Sequence, residues 1–239
     1  MTLFTACEEL VRRRDPDRYF AALFAPAVQR DFLFALYAFN YEIAHVAEVA
    51  REPMIADIRL AWWRETVEGA RVGRPRNHDV ARALAATLDA NELPTALFER
   101  MIEARGFDAS PDSFVDMAAL EAYGDATSGN LMRLAARVLG DAADDAAHEA
   151  GIAYALAGLL RAAPFHAARG KRFLSDSLLG EAARRAWQHF EMARRIAVPR
   201  PALAAFLPAA LVPLYLRRRE PPLYRRQLVY LRAAVTGRL

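Results

Sequence analysis

The sequence predicts an all-α protein, a single bundle of helices, and three observations carry that expectation. Hydrophobic residues make up 54% of the 239-residue chain and charged residues 26%, with glycine and proline sparse, as in a mostly helical globular protein. Apolar side chains recur at helical spacing, as in Ile55, Ile58, Ala61, Trp62, Thr66 and Val67. Such segments follow one another along the chain, and almost no run alternates as a strand would. The length suffices for one full core, so one domain over residues 1–239 is expected.

Thr5 to Arg14 reads as a helix that stops near Asp15-Pro16, because the residue before proline avoids the α region. Asp17 to Phe24 follows. Pro26 opens the next element, Gln29 to Arg51, which is apolar nearly all round and therefore buried on most sides. Pro53 restarts the chain as Met54 to Ala70, and a loop with Gly73 and Pro75, Val72 to His78, leads to Val80 to Asp89. Further helices are expected at Pro94 to Ala104, Asp112 to Tyr123, Thr127 to Leu139, Asp144 to Ala163, Gly180 to Ile196 and Ala202 to Arg218, followed by a frayed basic end. Pro111 suits a first helical turn and Gly140 a C-terminal cap. Pro164 should kink its helix or end it early, since it lacks an N–H and clashes with the preceding turn.

Composition narrows the function classes. The net charge of +3 and pI near 9.2 are mildly basic, and charges this dispersed do not form the dense clusters of a nucleic-acid binder. Alanine and arginine dominate and Lys171 is the only lysine, so a single alanine or arginine can reflect base composition rather than chemistry. The lone cysteine, Cys7, excludes an intramolecular disulfide and any multi-cysteine metal site. With no signal-peptide pattern at the N-terminus, the expected compartment is the cytoplasm. The late apolar run Ala202 to Leu216 is broken by Pro208 and Pro213 and is shorter than the ~20 residues a bilayer span needs. It reads as a core helix with a solvated basic end; Arg217, Arg218 and Arg219 beside it also allow peripheral contact with the inner membrane.

Two helices carry polar residues where an apolar wall is expected. In the first, Tyr37-Ala38-Phe39-Asn40-Tyr41-Glu42 leads to Ala44, His45 and Glu48, and residues 41, 44, 45 and 48 occupy adjoining faces. In the second, Ala155, Gly158, Ala162 and His166 form a stripe with Arg161 and Phe165 beside it. Arg161, Arg169, Lys171 and Arg172 form a cationic group able to hold a phosphate or an anionic lipid head, or else a solvated rim. Asn40 and Glu42 in so apolar a helix need hydrogen-bond partners, and Trp62, Trp63 and Trp187 read as core or rim packing.

Tyr37-Ala38-Phe39, Trp63-Arg64, Tyr123 with Ser128-Gly129, Leu159-Leu160-Arg161 and Arg169-Gly170-Lys171-Arg172-Phe173-Leu174 stand in the order and spacing of squalene and phytoene synthases, which the chain resembles from about Cys7 to Leu216. The resemblance implies the isoprenoid synthase fold, a helical bundle around a deep apolar cavity. It also implies two aspartate-rich segments on facing helices, whose Mg²⁺ ions clamp a substrate diphosphate. In the first segment the acid positions fall on Ala44, His45 and Glu48, and Tyr41 replaces an arginine. In the second they fall on Ala162, Phe165 and His166, the earlier amides fall on Ala155 and Gly158, and Arg161 alone survives.

Several hard Mg²⁺ ions need several oxygen ligands, which one carboxylate cannot supply. The pattern L-R-A-A-P-F-H, with F-N-Y-E-I-A in the first helix, resembles the family's complex I assembly-factor branch. That branch implies a non-catalytic protein without a cofactor, with complex I subunits or assembly intermediates as partners and a cavity for an isoprenoid or lipid. The alternative is a Mg²⁺-dependent prenyltransferase condensing two prenyl diphosphates head to head. The pocket residues this implies are Tyr37, Asn40, Tyr41, Glu42, His45, Glu48, Tyr123, Arg161, Phe165, His166, Arg169 and Lys171. A metal site from His45, His166 and Glu48 is a further reading, as is a local His45–Glu48 pair. Where the family places a helix and loop, Ser177-Leu178-Leu179 runs into Gly180, so one helix near 179–180 is expected to be missing.

Overall fold

A computed structural model describes residues 3–50, 52–217 and 220–239; Arg51, Arg218 and Arg219 lie outside the described residues. Thirteen α-helices lie among the described residues, with no strand. The first six are α1 (Thr5–Arg14), α2 (Pro16–Ala22), α3 (Ala27–Val49), α4 (Pro53–Arg71), α5 (Asp79–Ala90) and α6 (Thr95–Ala109). The first five match the expected elements to within two residues, α1 at both ends, and α6 runs five residues past the expected end at Ala104. Asp15 ends α1 and caps α2, its carboxylate accepting from the Arg18 N–H at 3.2 Å, with Pro16 in the first turn. Residues 33–40 of α3 are all buried, so this helix is the axis of the core.

The second half departs further from expectation. Helix α7 (Met117–Gly124) begins five residues after Asp112, and Pro111 lies in the preceding irregular segment. That segment is engaged elsewhere: the Phe114 N–H donates to the Phe173 carbonyl at 2.9 Å and the Ser113 hydroxyl to the Arg172 carbonyl. Asp116 caps α7 instead, accepting from the Ala119 N–H at 2.8 Å. A π turn, Asp125–Gly129, then leads into α8 (Asn130–Val138). Gly140 caps as expected, with φ of 86°. Helix α9 (Asp144–Ala167) neither ends at Pro164 nor just before it, running three residues further with Pro164 exposed. Ser177, Leu178 and Leu179 form the first turn of α10 (Asp176–Ala193) rather than a connection.

Prolines 208 and 213 break the expected Ala202 to Arg218 helix into a 3₁₀ turn, α11 (Leu203–Phe206), a second 3₁₀ turn and α12 (Val212–Arg217). Nearly all of 202–212 is buried, so this apolar run belongs to the core and not to a surface. The basic end is not frayed: Leu223–Thr236 forms α13, closed by Gly237 at φ of 69° and docked through Tyr230 and Ala233. No helix among the described residues is long and apolar enough to cross a membrane.

Helix α9 is the second axis. Its Gly151 crosses the π turn so closely that a Cβ there would lie 2.3 Å from the Gly129 Cα. The π turn inserts an extra residue into the α7–α8 path, a device common at functional sites, and so places Thr127 and Ser128 on the cleft beside α9.

Candidate functional site

Between α3, the α7–π turn region and α9 lies a cleft of about 260 Å³. Four of the expected pocket residues, Asn40, Tyr123, Arg161 and His166, meet there. Arg14, Asp15, Arg18 and Arg105 line it as well, so four arginines face a single lining carboxylate. The lining is richer in arginine than in acid, although Asp108 and Asp17 just outside it neutralise part of the charge of Arg105 and Arg161.

Three of the four arginines are held by carboxylates, and Arg14, exposed, forms no ion pair among the described residues. Arg18 donates to Asp15 at 2.6 Å and lies over the Tyr154 ring at 5.0 Å. Arg105 donates to the Tyr123 hydroxyl at 2.6 Å and to Asp108 at 3.1 Å, while that hydroxyl donates to Asp108 at 2.7 Å. Burial holds the Tyr123 phenol well above its ordinary range, although Arg105 pulls the other way, so it remains a neutral donor. Arg161 packs over the Tyr215 ring at 4.3 Å and stands 3.7 Å from Asp17.

Asp17 is a hub that sequence reasoning missed. Buried beneath the cleft, its carboxylate accepts from Arg226 at 2.8 Å, from Tyr154 at 3.3 Å and from Tyr215, and its carbonyl accepts from Tyr230 at 3.1 Å. The carboxylate is thereby committed to protein donors. Arg14, Arg18 and Arg105 were missed too. Only the Asp15-Pro16 helix stop marked this corner in the sequence, and it carries no signal for a cleft.

The other expected residues disperse. Tyr37 is buried in α3, its hydroxyl without a hydrogen-bond partner and raised above its usual pKa by burial. Glu42 and His45 face a second cleft, about 550 Å³, against Ile58, Trp62 and Trp63 of α4. Tyr41 stacks on His45 with ring centroids 5.1 Å apart, and His45 pairs with Glu48 at 3.1 Å, the local pairing anticipated. Phe165 is exposed, with the Arg169 guanidinium 3.6 Å from its ring centroid. Lys171 is not free for an anion: it donates to the carbonyls of Phe107, Ser110 and Asp112 at 3.0, 2.6 and 2.7 Å. His166 packs edge-on to Phe173, and burial lowers its pKa, so the neutral imidazole is favoured.

The Mg²⁺ clamp implied by the resemblance does not fit these residues. Ala44, Ala162 and Phe165 offer no oxygen ligand, His166 is a nitrogen donor, and Glu48 is paired with His45. The His45, His166 and Glu48 metal site is likewise not assembled, since no group of three acids, histidines or cysteines among the described residues could hold a metal ion. His45 and His166 line different clefts.

A family profile described as squalene/phytoene synthase matches residues 11–182. The human NADH dehydrogenase (ubiquinone) complex I, assembly factor 6, is 33% identical over 171 residues, 70% of this chain and 51% of that protein. A phytoene synthase of Rhodobacter capsulatus is 30% identical over 182 residues, 73% of this chain and 52% of that one. The chain thus spans about half the length of these curated relatives. Among solved structures, a dehydrosqualene synthase with bound ligand superposes with a TM-score of 0.81 at 17% identity, covering 98% of this chain and 96% of its own. A squalene synthase from Alicyclobacillus acidocaldarius gives 0.74 at 20%, with 98% and 94% covered. The fold is that of these enzymes, and with the profile spanning most of its length the chain belongs to the squalene/phytoene synthase family.

Proposed function

We propose that this protein supports the assembly of respiratory complex I, using the prenyl-synthase fold as a binding scaffold rather than as a metal-dependent catalyst. One observation carries the reading: the cleft between α3 and α9 is lined by four arginines and one carboxylate, the reverse of a site that binds Mg²⁺ through acids. An isoprenoid or lipid-like molecule with an anionic head is the ligand this lining suits, held by guanidinium groups directly. The similarity to complex I assembly factor 6 supports the process, and subunits or assembly intermediates of the complex are the proposed partners.

The test is made in cells. Deleting the gene should lower rotenone-sensitive NADH:quinone activity and the amount of assembled complex I on native gels, with both restored by the intact gene. Normal complex I in the deletion strain would overturn the reading. The prenyltransferase alternative, which the phytoene synthase relative supports, is tested separately. Purified protein with Mg²⁺ and farnesyl or geranylgeranyl diphosphate should form no head-to-head product, and turnover would establish the enzyme.

A further inference from the structure

The arginines are not dispersed as the overall composition suggested. Residues 192–239 hold ten arginines and one acid, Glu220, whereas the rest of the chain holds 22 bases and 28 acids. The protein is therefore polarised, with its positive pole on the segment that runs from the end of α10 through α13. On α13 the outward residues are Tyr224, Leu228, Leu231 and Val235, which are 58, 59, 53 and 70% exposed. Spaced four, three and four apart, they fall within an arc of ~60° on a helix. The inward face is separate, formed by Arg226, Tyr230 and Ala233. Arg225 and Arg232 are exposed on one flank of the outward stripe, and neither forms an ion pair among the described residues.

Beyond that flank lies a cleft of about 800 Å³. Its apolar floor includes Trp187, Pro213, Leu214 and Val229, with Arg217 and Arg232 at its rim. A convex apolar stripe, unpaired arginines beside it and an adjoining greasy cleft with a cationic edge are together what an anionic bilayer surface requires: acyl contact, headgroup phosphate contact and room for a chain. A protein partner helix would ordinarily carry acids to meet these arginines, and a second copy of this chain would bring the same positive pole against itself. We propose that α13 lies in the interface of an anionic phospholipid bilayer, with Tyr224, Leu228, Leu231 and Val235 among the acyl chains and Arg225 and Arg232 on headgroup phosphates. This goes beyond the assembly role and stands or falls without it.

The purified protein is sedimented with phosphatidylcholine vesicles, with and without phosphatidylglycerol. It should bind only the mixed vesicles, less tightly as salt rises. R225Q and R232Q should each weaken binding about fivefold, the equivalent of roughly 1 kcal/mol per arginine near such a surface. The double variant L228E/L231E should lose binding by more than about tenfold while keeping its circular dichroism and melting temperature, because both positions are exposed. If that variant misfolds, the arginine variants carry the test alone. Absence of binding to mixed vesicles, or binding unchanged in every variant, would overturn the proposal. So would a dimer in light scattering that L228E/L231E abolishes without any vesicle binding, which would assign the stripe to a second copy.

Discussion

The two halves of α9 are built from similar small residues and do different work. From Ala150 to Ala157 every residue is buried, and Gly151 sits against the backbone of Gly129 with no room for a methyl group. From Gly158 onward none is fully buried, and a Cβ on Gly158 would meet nothing within 4 Å. In the first half smallness lets two helical paths cross; in the second it leaves open space beside arginines. An alanine-rich composition hides this distinction, because Ala153 in the core and Ala162 near the cleft look alike in the sequence.

The largest effect is expected where the halves meet, at Asp17, which is bonded to Tyr154 from one and lies near Arg161 of the other. Asp17→Ala leaves the part-buried Arg226 without its carboxylate and the buried Tyr154 and Tyr215 hydroxyls without their acceptor, and should cost about 3–5 kcal/mol in denaturant unfolding. Loss below about 1 kcal/mol would mean that the hub does not tie the halves together. Gly151→Ala should cost about 1–3 kcal/mol by forcing the crossing apart, read as a lower urea midpoint. Gly158→Ala should do the opposite, adding about 0.5–1 kcal/mol through helix propensity alone. A destabilised Gly158→Ala variant would erase the contrast.

The smallest effect concerns pH. Burial lowers the His166 pKa below its ordinary 6.5 in the folded protein, so between the two values the unfolded chain binds more protons. The stabilisation from keeping His166 neutral is complete above pH 6.5 and lost as pH falls toward the folded value. His166→Gln should flatten that part of the stability profile and leave the profile above it parallel to that of the parent protein. An unchanged slope would place the titration elsewhere.

Much of the first half of the fold was legible because its helices are bounded by Pro16, Pro26 and Pro53, with α3 apolar nearly all round and α4 carrying one apolar period. Helix α13 was not: its buried pair, Tyr230 and Ala233, and its exposed stripe alternate with arginines, and two superposed apolar faces read as a basic tail. Of the residues lining the candidate cleft, Asn40, Tyr123, Arg161 and His166 were singled out in the sequence because the family resemblance marks those positions. Asp17 was not, since its partners Tyr154, Tyr215 and Tyr230 lie 137, 198 and 213 residues away and no local pattern encodes them. The cationic role allowed for Lys171 did not foresee its three carbonyl acceptors, because α6 was expected to end at Ala104, before Phe107, and Asp112 was expected to start a helix.

That placement of Lys171 has a practical side. It is the only side-chain amine in the protein, and its three N–H groups are directed at three main-chain carbonyls. Acylating reagents need a free lone pair, which this nitrogen can offer only by surrendering a proton that one of those carbonyls holds. Cross-linkers aimed at lysine side chains therefore have one target, and an engaged one, so carboxylate-directed or photoactivated reagents are better suited to mapping the protein's neighbours. A lysine adduct that does form at position 171 becomes a readout of its own: it records the moments when the strap from Phe107 to Asp112 lets go.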